Sequence, residues 1–191
     1  MYLSQWHFKR TKTESGDISN PYNAHKALWK AFHGREKEKR EFIYRMDKKE
    51  DGYFVIMLSE YKPEPTVDLD LLRLTESQLV FEPKTHYRFS LRANPVKRLS
   101  EQRCRVPLVG EENLNAWLSR KIMGSATLVE TVPVLRTDLN FCKGNNWGKI
   151  TTVDFEGVIK CEDKYKLFEL VKSGIGAAKA FGCGLLLLKR E

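Results

Sequence analysis

The chain has 191 residues, enough for one ordinary domain or two small ones, and its 33 Lys and Arg against 25 Asp and Glu give a net charge of +8. That excess favours a polyanionic partner. The cysteines are dispersed and form no Cys-x-x-Cys pair, which argues against a zinc site or a disulfide framework. The sequence shows neither a signal-peptide pattern nor a long apolar run, so we expect a cytoplasmic protein with no membrane partner.

The first half of the chain predicts the element order β-α-β-β-α-β. Residues 2–8 alternate apolar and polar side chains, as in a strand. Asn20 and Pro21 are a strong helix start, N-cap and first helical residue, and the helix should run to about Phe32. The remaining predicted elements are two strands that form a hairpin, at residues 42–46 and 53–58, a short helix at 71–79 and a fourth strand at 86–93. This order is the ferredoxin-like plan that RNA-recognition domains share.

The second half repeats the plan loosely. Apolar side chains at helical spacing predict a helix over residues 111–123, and these are Leu114, Trp117, Leu118 and Ile122. The other predicted elements are a first strand at residues 106–109, a long hairpin of two strands at 126–135 and 149–159, a second helix at 163–172 and a last strand at 184–188. The predicted fold class is therefore α+β, with two tandem ferredoxin-like domains at residues 1–95 and 96–191.

Glycines dominate the C-terminal segment, residues 173–190. Gly174, Gly176, Gly182 and Gly184 surround Lys179, and glycine lets backbone N–H groups approach a phosphate closely. Only one further strand fits after this segment, whereas a dinucleotide-binding turn opens a βαβ unit, and the Walker A pattern is absent. We therefore expect no nucleotide cofactor and predict backbone contact with a nucleic acid. The alternative is a glycine-rich loop packed under the last strand.

The first predicted helix carries a candidate catalytic group. His25 lies at the edge of the apolar stripe, one turn from Tyr22, and Lys26 and Lys30 extend the polar side of the helix. A histidine held there suits a general acid or base beside lysines that hold a phosphate. The alternative is a structural histidine beside a solvated face.

Two basic segments are candidates for contact with an RNA backbone. The first contains Lys97, Arg98, Arg103 and Arg105, shortly after Arg92, and is either a clamp on RNA phosphates or a solvated loop. The second is the predicted hairpin tip with Lys143 and Lys149. The carboxylates do not form a ligand set with a histidine, so we expect no metal.

Three motifs together resemble the CasE family, the CRISPR repeat-processing endoribonucleases of the Cascade surveillance complex. They are Asn20-Pro-Tyr-Asn-Ala-His-Lys-Ala-Leu-Trp-Lys-Ala-Phe32, Arg92-Ala-Asn-Pro-Val-Lys-Arg98 and Gly174-Ile-Gly-Ala-Ala-Lys-Ala-Phe-Gly-Cys-Gly-Leu-Leu-Leu187. The resemblance implies tandem ferredoxin-like domains and metal-independent cleavage of precursor CRISPR RNA in the repeat hairpin, by 2′-hydroxyl attack. It also implies that the enzyme stays bound to the mature guide with other Cascade subunits, and that cleavage requires no DNA contact.

The resemblance also assigns residues. The family's catalytic histidine sits in a Pro-Tyr-x-x-His segment, which maps onto His25, with Tyr22 as the assisting tyrosine. Lys26 stands where relatives often carry arginine, which weakens bidentate phosphate contact. The basic residue that relatives supply from the second domain has three candidates here: Lys143, Lys149 and Arg136. The rival hypothesis is a non-catalytic RNA-binding module of the same fold.

Overall fold

A computed structural model describes residues 1–34, 41–99 and 104–191. The chain divides into two compact units. The first contains Met1–Leu79, Asn140–Lys149 and Lys179–Gly182, and the second contains Val80–Leu139, Ile150–Ala178 and Cys183–Glu191. Each unit is built on one antiparallel four-stranded sheet.

Among the residues that the structure describes, the first unit has one α-helix, which packs on its sheet. Its elements are β1 (Tyr2–Phe8), β2 (Lys12–Thr13), β3 (Gly16–Asp17), α1 (Pro21–Trp29), β4 (Phe42–Lys49), β5 (Gly52–Ser59) and β6 (Leu69–Glu76). The sheet order is β4-β5-β1-β6. Alternate residues of β1 point into the core, so Trp6 and Phe8 are buried with Leu28 of α1. The sheet therefore has the ferredoxin-like strand order with α1 as its crossover helix.

The helix predicted at residues 71–79 is wrong. Most of the segment belongs to β6, which pairs antiparallel with β1, and Leu71 lies opposite Trp6 just beyond a register shift between Gln5 and Trp6. The leucines there fit helical spacing in the sequence alone. An isolated helix of this length is marginal, whereas strand pairing with β1 satisfies the main chain and buries Leu69.

Helix α1 begins where the sequence predicts. The side chain of Asn20 accepts a hydrogen bond from the Tyr22 N–H at 3.2 Å, and Pro21 takes the first helical position. The α-helix ends at Trp29, earlier than predicted, because the next turn tightens. There the N–H groups of Lys30 and Phe32 donate to carbonyls three residues earlier.

The second unit is a complete β-α-β-β-α-β arrangement with one inserted hairpin. Its elements in chain order are β7 (His86–Ala93), β8 (Val96–Leu99), β9 (Cys104–Pro107), α2 (Glu111–Ile122), β10 (Ala126–Lys143), β11 (Asn146–Cys161), α3 (Lys164–Ser173) and β12 (Leu186–Arg190). The tips of β10 and β11 belong to the first unit. The sheet order is β10-β11-β7-β12, and β8 and β9 form the separate hairpin. The predicted fold class, tandem ferredoxin-like units, is confirmed.

The sequence predicts that residues 86–93 belong to the first sheet, but they form β7 in the sheet of the second unit. Strand β7 pairs with β11 and β12, so that Leu91 lies opposite both Phe155 and Leu186. The predicted apolar stripe of α2 is confirmed, since all four of its side chains are buried: Leu114, Trp117, Leu118 and Ile122. The ring of Trp117 stacks on Phe155 with centroids 6.2 Å apart.

Candidate functional site

His25 is held among aromatic side chains of the first unit. Its ring is half-buried and lies parallel to that of Tyr44, with centroids 6.1 Å apart and an interplanar angle of 11°. Phe42 and Trp29 contact two other sides of the ring. The position at the edge of the apolar stripe, predicted from the sequence, is confirmed.

A hydrogen bond from Trp29 defines the tautomer of the neutral His25 ring. The Trp29 Nε1–H donates to His25 Nε2 at 3.2 Å. Because an indole N–H can only donate, Nε2 must accept, and the neutral ring then carries its proton on Nδ1. Because Nε2 is the only nitrogen of this tautomer with a lone pair, proton uptake by His25 requires the Trp29 hydrogen bond to open.

Tyr22 lies one turn before His25 on the same side of α1 and has two lysines at its ring. The Lys26 Nζ lies 5.9 Å from the ring centroid, and the Lys143 Nζ lies 5.6 Å from it. Both lysine side chains are exposed. Two ammonium groups beside one phenol concentrate positive charge at Tyr22, one helical turn from His25, and this charge suits a bound phosphate.

Lys143 belongs to the tip segment of the β10–β11 hairpin, Asn140–Lys149, which is part of the first unit. Of the three basic candidates, it is the one that the structure places at Tyr22. Lys149 lies on β11 in the same segment, and Arg136 is an exposed residue of β10 in the second unit. The residues of the Tyr22–Lys143 pair lie far apart in the chain, and no local sequence signal connects them.

Asn20 connects the start of α1 to this tip segment. Besides capping the helix, its Nδ2 donates to the carbonyl of Cys142 at 2.8 Å. The Cys142 N–H approaches Asn20 Oδ1 at 3.4 Å. Cys142 directly precedes Lys143, so one side chain fixes the backbone on both sides of the Tyr22–Lys143 contact.

Lys30 is compensated within the protein. Its Nζ lies 2.6 Å from Glu14 Oε2. The hydrogen bond and the charge of Lys30 hold the pKa of the Glu14 carboxyl below its ordinary value. The predicted phosphate contact of Lys30 would therefore require this ion pair to open, and it stays a prediction.

Lys179 begins a short 3₁₀ turn, Lys179–Phe181, that belongs to the first unit. The Tyr44 hydroxyl donates to the carbonyl of Ala180 at 2.8 Å. Tyr44 thus contacts both the His25 ring and this turn. Phe181 packs on Phe141 of the tip segment, with centroids 4.7 Å apart.

Gly174 and Gly176 have structural reasons for being glycine. Both have positive φ, 73° and 82°. The Gly174 N–H donates to the Leu170 carbonyl at the end of α3, so that donor is not available to a phosphate. A Cβ at Gly176 would lie 3.1 Å from the Trp117 ring. These contacts favour the packed-loop alternative for this part of the segment, and the RNA contact of both glycines stays a prediction.

Gly176→Val is therefore expected to lower the free energy of unfolding by about 2–4 kcal/mol, through left-handed strain and overpacking against Trp117. Gly124→Val is the matched control, since Gly124 has a φ of 79° and a Cβ added there would have no neighbouring atom within 4 Å. Lys179→Ala should cost less stability than either. Urea unfolding of the three variants measures this, and equal losses for the two glycine variants would contradict the packing argument.

The basic hairpin β8–β9 carries exposed cations in the second unit. Lys97, Arg98 and Arg105 are exposed, and Arg98 lies directly opposite Arg105 in the strand register. Like charges in such a pair are destabilising, which a polyanionic ligand would relieve. Arg103 lies outside the described residues. Arg92 is instead engaged by a bidentate pair with Asp154, at 2.7 and 2.8 Å.

The described residues contain no group of three or more His, Cys, Asp and Glu side chains arranged to hold a metal ion. Burial raises the pKa of the Cys183 thiol to about 12, so this cysteine is a poor nucleophile at neutral pH. In the parts of the chain that the structure covers, no helix is both long and apolar enough to span a membrane.

The fold and the site define a tandem ferredoxin-like protein with a lysine-flanked histidine and tyrosine. A family model described as "CRISPR associated protein" matches residues 1–190. The chain is 33% identical over 180 residues to the CRISPR system Cascade subunit CasE of Escherichia coli K12, covering 87% of this chain and 90% of that protein. The chain belongs to the CRISPR-associated protein family that this model describes.

Two further similarities extend across the chain. The CRISPR-associated endoribonuclease Cse3 of Thermus thermophilus is 32% identical over 193 residues, with 89% of this chain and 90% of that protein covered. A solved structure of CRISPR endoribonuclease Cse3 bound to 19 nt RNA superimposes with a TM-score of 0.86, at 25% identity, and covers 99% of this chain and 100% of that one.

Proposed function

We propose that this protein is a metal-independent endoribonuclease that cleaves precursor CRISPR RNA within the repeat hairpin and stays bound to the mature guide RNA. Its partners are the repeat RNA and other Cascade subunits, and it works in the cytoplasm. The observation that carries the proposal is that Lys26 and Lys143 both lie at the ring of Tyr22, which precedes His25 by one turn of α1. This arrangement occurs in a chain similar over nearly its whole length to an endoribonuclease.

The chemistry that fits this site is transfer within the RNA itself. The 2′-oxygen attacks the adjacent phosphorus, the bond to the 5′-oxygen breaks, and the products are a 2′,3′-cyclic phosphate and a free 5′-hydroxyl. One proton must leave the 2′-hydroxyl and one must reach the leaving oxygen. His25 carries one of these transfers, as base or as acid.

The other residues of the site have supporting roles in this proposal. Tyr22 orients the scissile phosphate or assists the proton transfer. Lys26 and Lys143, whose Nζ atoms lie 5.9 and 5.6 Å from the centroid of its ring, stabilise the negative charge that develops on the phosphorane. Lys143 is the basic residue of the hairpin that we assign to this role, with Lys149 and Lys179 contributing to RNA binding.

The basic hairpin β8–β9 contributes to the RNA path, because A-form stems present phosphates and exclude side chains from their deep groove. Neutralising Lys97, Arg98 and Arg105 to glutamine should weaken repeat RNA binding and reduce the slope of log K against log salt by about 2–3. Filter binding across a salt series measures both quantities.

The matched control removes the same charge from three exposed lysines of the second unit outside the hairpin: Lys121, Lys160 and Lys164. It should leave the slope within about one of wild type, since these residues are not assigned to the RNA. If the affinity and the slope of the hairpin variant were unchanged, the RNA would have to bind along the tip segment instead of the β8–β9 hairpin.

A cleavage assay distinguishes this function from that of a non-catalytic RNA-binding module. The protein is incubated with its repeat RNA in excess EDTA, and the products are separated on a denaturing gel. Cleavage at one position within the repeat, without turnover of a scrambled hairpin, is the expected result. Tight binding with no cleavage at any protein concentration would instead establish the binding module.

A further inference from the structure

We infer that Asn20 is a positioning residue, which places Lys143 at the scissile phosphate by bonding the tip segment to the start of α1. The catalytic part of this inference rests on the proposed function. The hydrogen bond between Asn20 and Cys142, however, is present in the protein without RNA. The Lys143 Nζ, 5.6 Å from the centroid of the Tyr22 ring, is at the end of a long, flexible and exposed side chain. Such a side chain is only as well placed as the backbone that carries it.

The side-chain amide of Asn20 makes both of the contacts that position this backbone. Asn20 Oδ1 accepts from the Tyr22 N–H at 3.2 Å, and its Nδ2 donates to the Cys142 carbonyl at 2.8 Å. The helix turn with Tyr22 and the strand end with Lys143 therefore share one side chain. Helix capping alone needs only the oxygen of this amide, so its nitrogen is available for the second contact.

The shorter of the two contacts with Cys142 uses Nδ2, whereas the cap and the 3.4 Å approach of the Cys142 N–H use Oδ1, so the Nδ2 contact can be removed by substitution while the cap is kept. Aspartate and serine are both good N-caps, so Asn20→Asp and Asn20→Ser should preserve α1. Aspartate lacks the donor for the Cys142 carbonyl and turns an oxygen toward it, and serine is too short to reach. Serine also controls for the negative charge that aspartate would add beside the RNA.

Both variants should slow single-turnover cleavage about tenfold to a hundredfold and leave the RNA dissociation constant within about twofold of wild type, because the loss lies in alignment. In a Lys143→Ala background the same substitutions should add less than about a twofold effect, since Asn20 acts through that lysine. The control is Asp163→Ser, a cap substitution on α3 that should leave cleavage unchanged.

Hydrogen exchange supplies a readout that does not depend on cleavage. Amides of residues 140–144 should exchange faster in both Asn20 variants than in wild type, while α1 keeps its protection. Unchanged exchange there, unchanged cleavage, or full additivity with Lys143→Ala would overturn the inference. If wild-type protein did not cleave repeat RNA, the proposed function would fail, and exchange at the tip would still decide whether Asn20 holds it.

Discussion

His25→Ala is expected to slow cleavage of repeat RNA by at least about a hundredfold while RNA binding is retained, because removal of a general acid or base typically costs about 10²–10⁴ in rate. The ring of His25 packs on Tyr44 and Phe42, whereas the cations that we propose bind the phosphate lie at the ring of Tyr22. Single-turnover kinetics on labelled repeat RNA measure the rate, and filter binding measures the affinity.

Two further variants separate chemistry from folding. His25→Asn keeps an acceptor for the Trp29 N–H but cannot titrate, so it should lose cleavage to a similar extent with less loss of stability. His33→Ala removes an exposed histidine elsewhere in the first unit and should cleave normally. Near-wild-type cleavage by both His25 variants would show that His25 takes no part in the reaction.

Replacing the 2′-hydroxyl with hydrogen at the nucleotide before the cut should abolish cleavage below detection, because the attacking atom is then missing. The protein should still bind this RNA, since the proposed contacts of its cations are with phosphates. With unmodified RNA, the upstream product should end in a 2′,3′-cyclic phosphate, with or without EDTA. Mass spectrometry of the product ends and a gel of the deoxy substrate provide the two measurements.

A deoxy substitution one nucleotide further upstream is the control, and it should be cut at a normal rate. Cleavage of the RNA that lacks the 2′-hydroxyl at the cut itself would show that an activated water attacks the phosphorus. In that case His25 would act on the water, and the assignment of the cyclic product would be wrong.

Local signals in the sequence were sufficient for the elements with strong caps or periodicity. Asn20 and Pro21 located α1, and the stripe with Trp117 located α2, because both depend on neighbours within a few residues. The segment of β6 was wrongly predicted because its strand state depends on pairing with β1, at the far end of the unit. The sheet to which β7 belongs depends on β11 and β12, which follow it by many residues.

The candidate site shows the same difference between local and tertiary information. The spacing of Tyr22, His25 and Lys26 on one helix is evident in the sequence, and in the structure the Lys26 Nζ lies 5.9 Å from the centroid of the Tyr22 ring. The Glu14 partner of Lys30 and the approach of Lys143 to Tyr22 could not be predicted, because each is a tertiary contact. The second contact of Asn20 was likewise hidden behind its evident role as a cap.

The first unit is completed by two late segments of the chain, Asn140–Lys149 and Lys179–Gly182. During translation, the residues that follow Leu79 must be synthesised before these segments exist, and roughly a hundred residues take about 5–20 s at ordinary elongation rates. A nascent or truncated chain that stops short of them carries His25 and Tyr22 without Lys143 or Lys179. The proposed RNA processing activity should therefore be acquired only after Gly182 has been synthesised, and fragments released earlier should be unable to cut cellular transcripts.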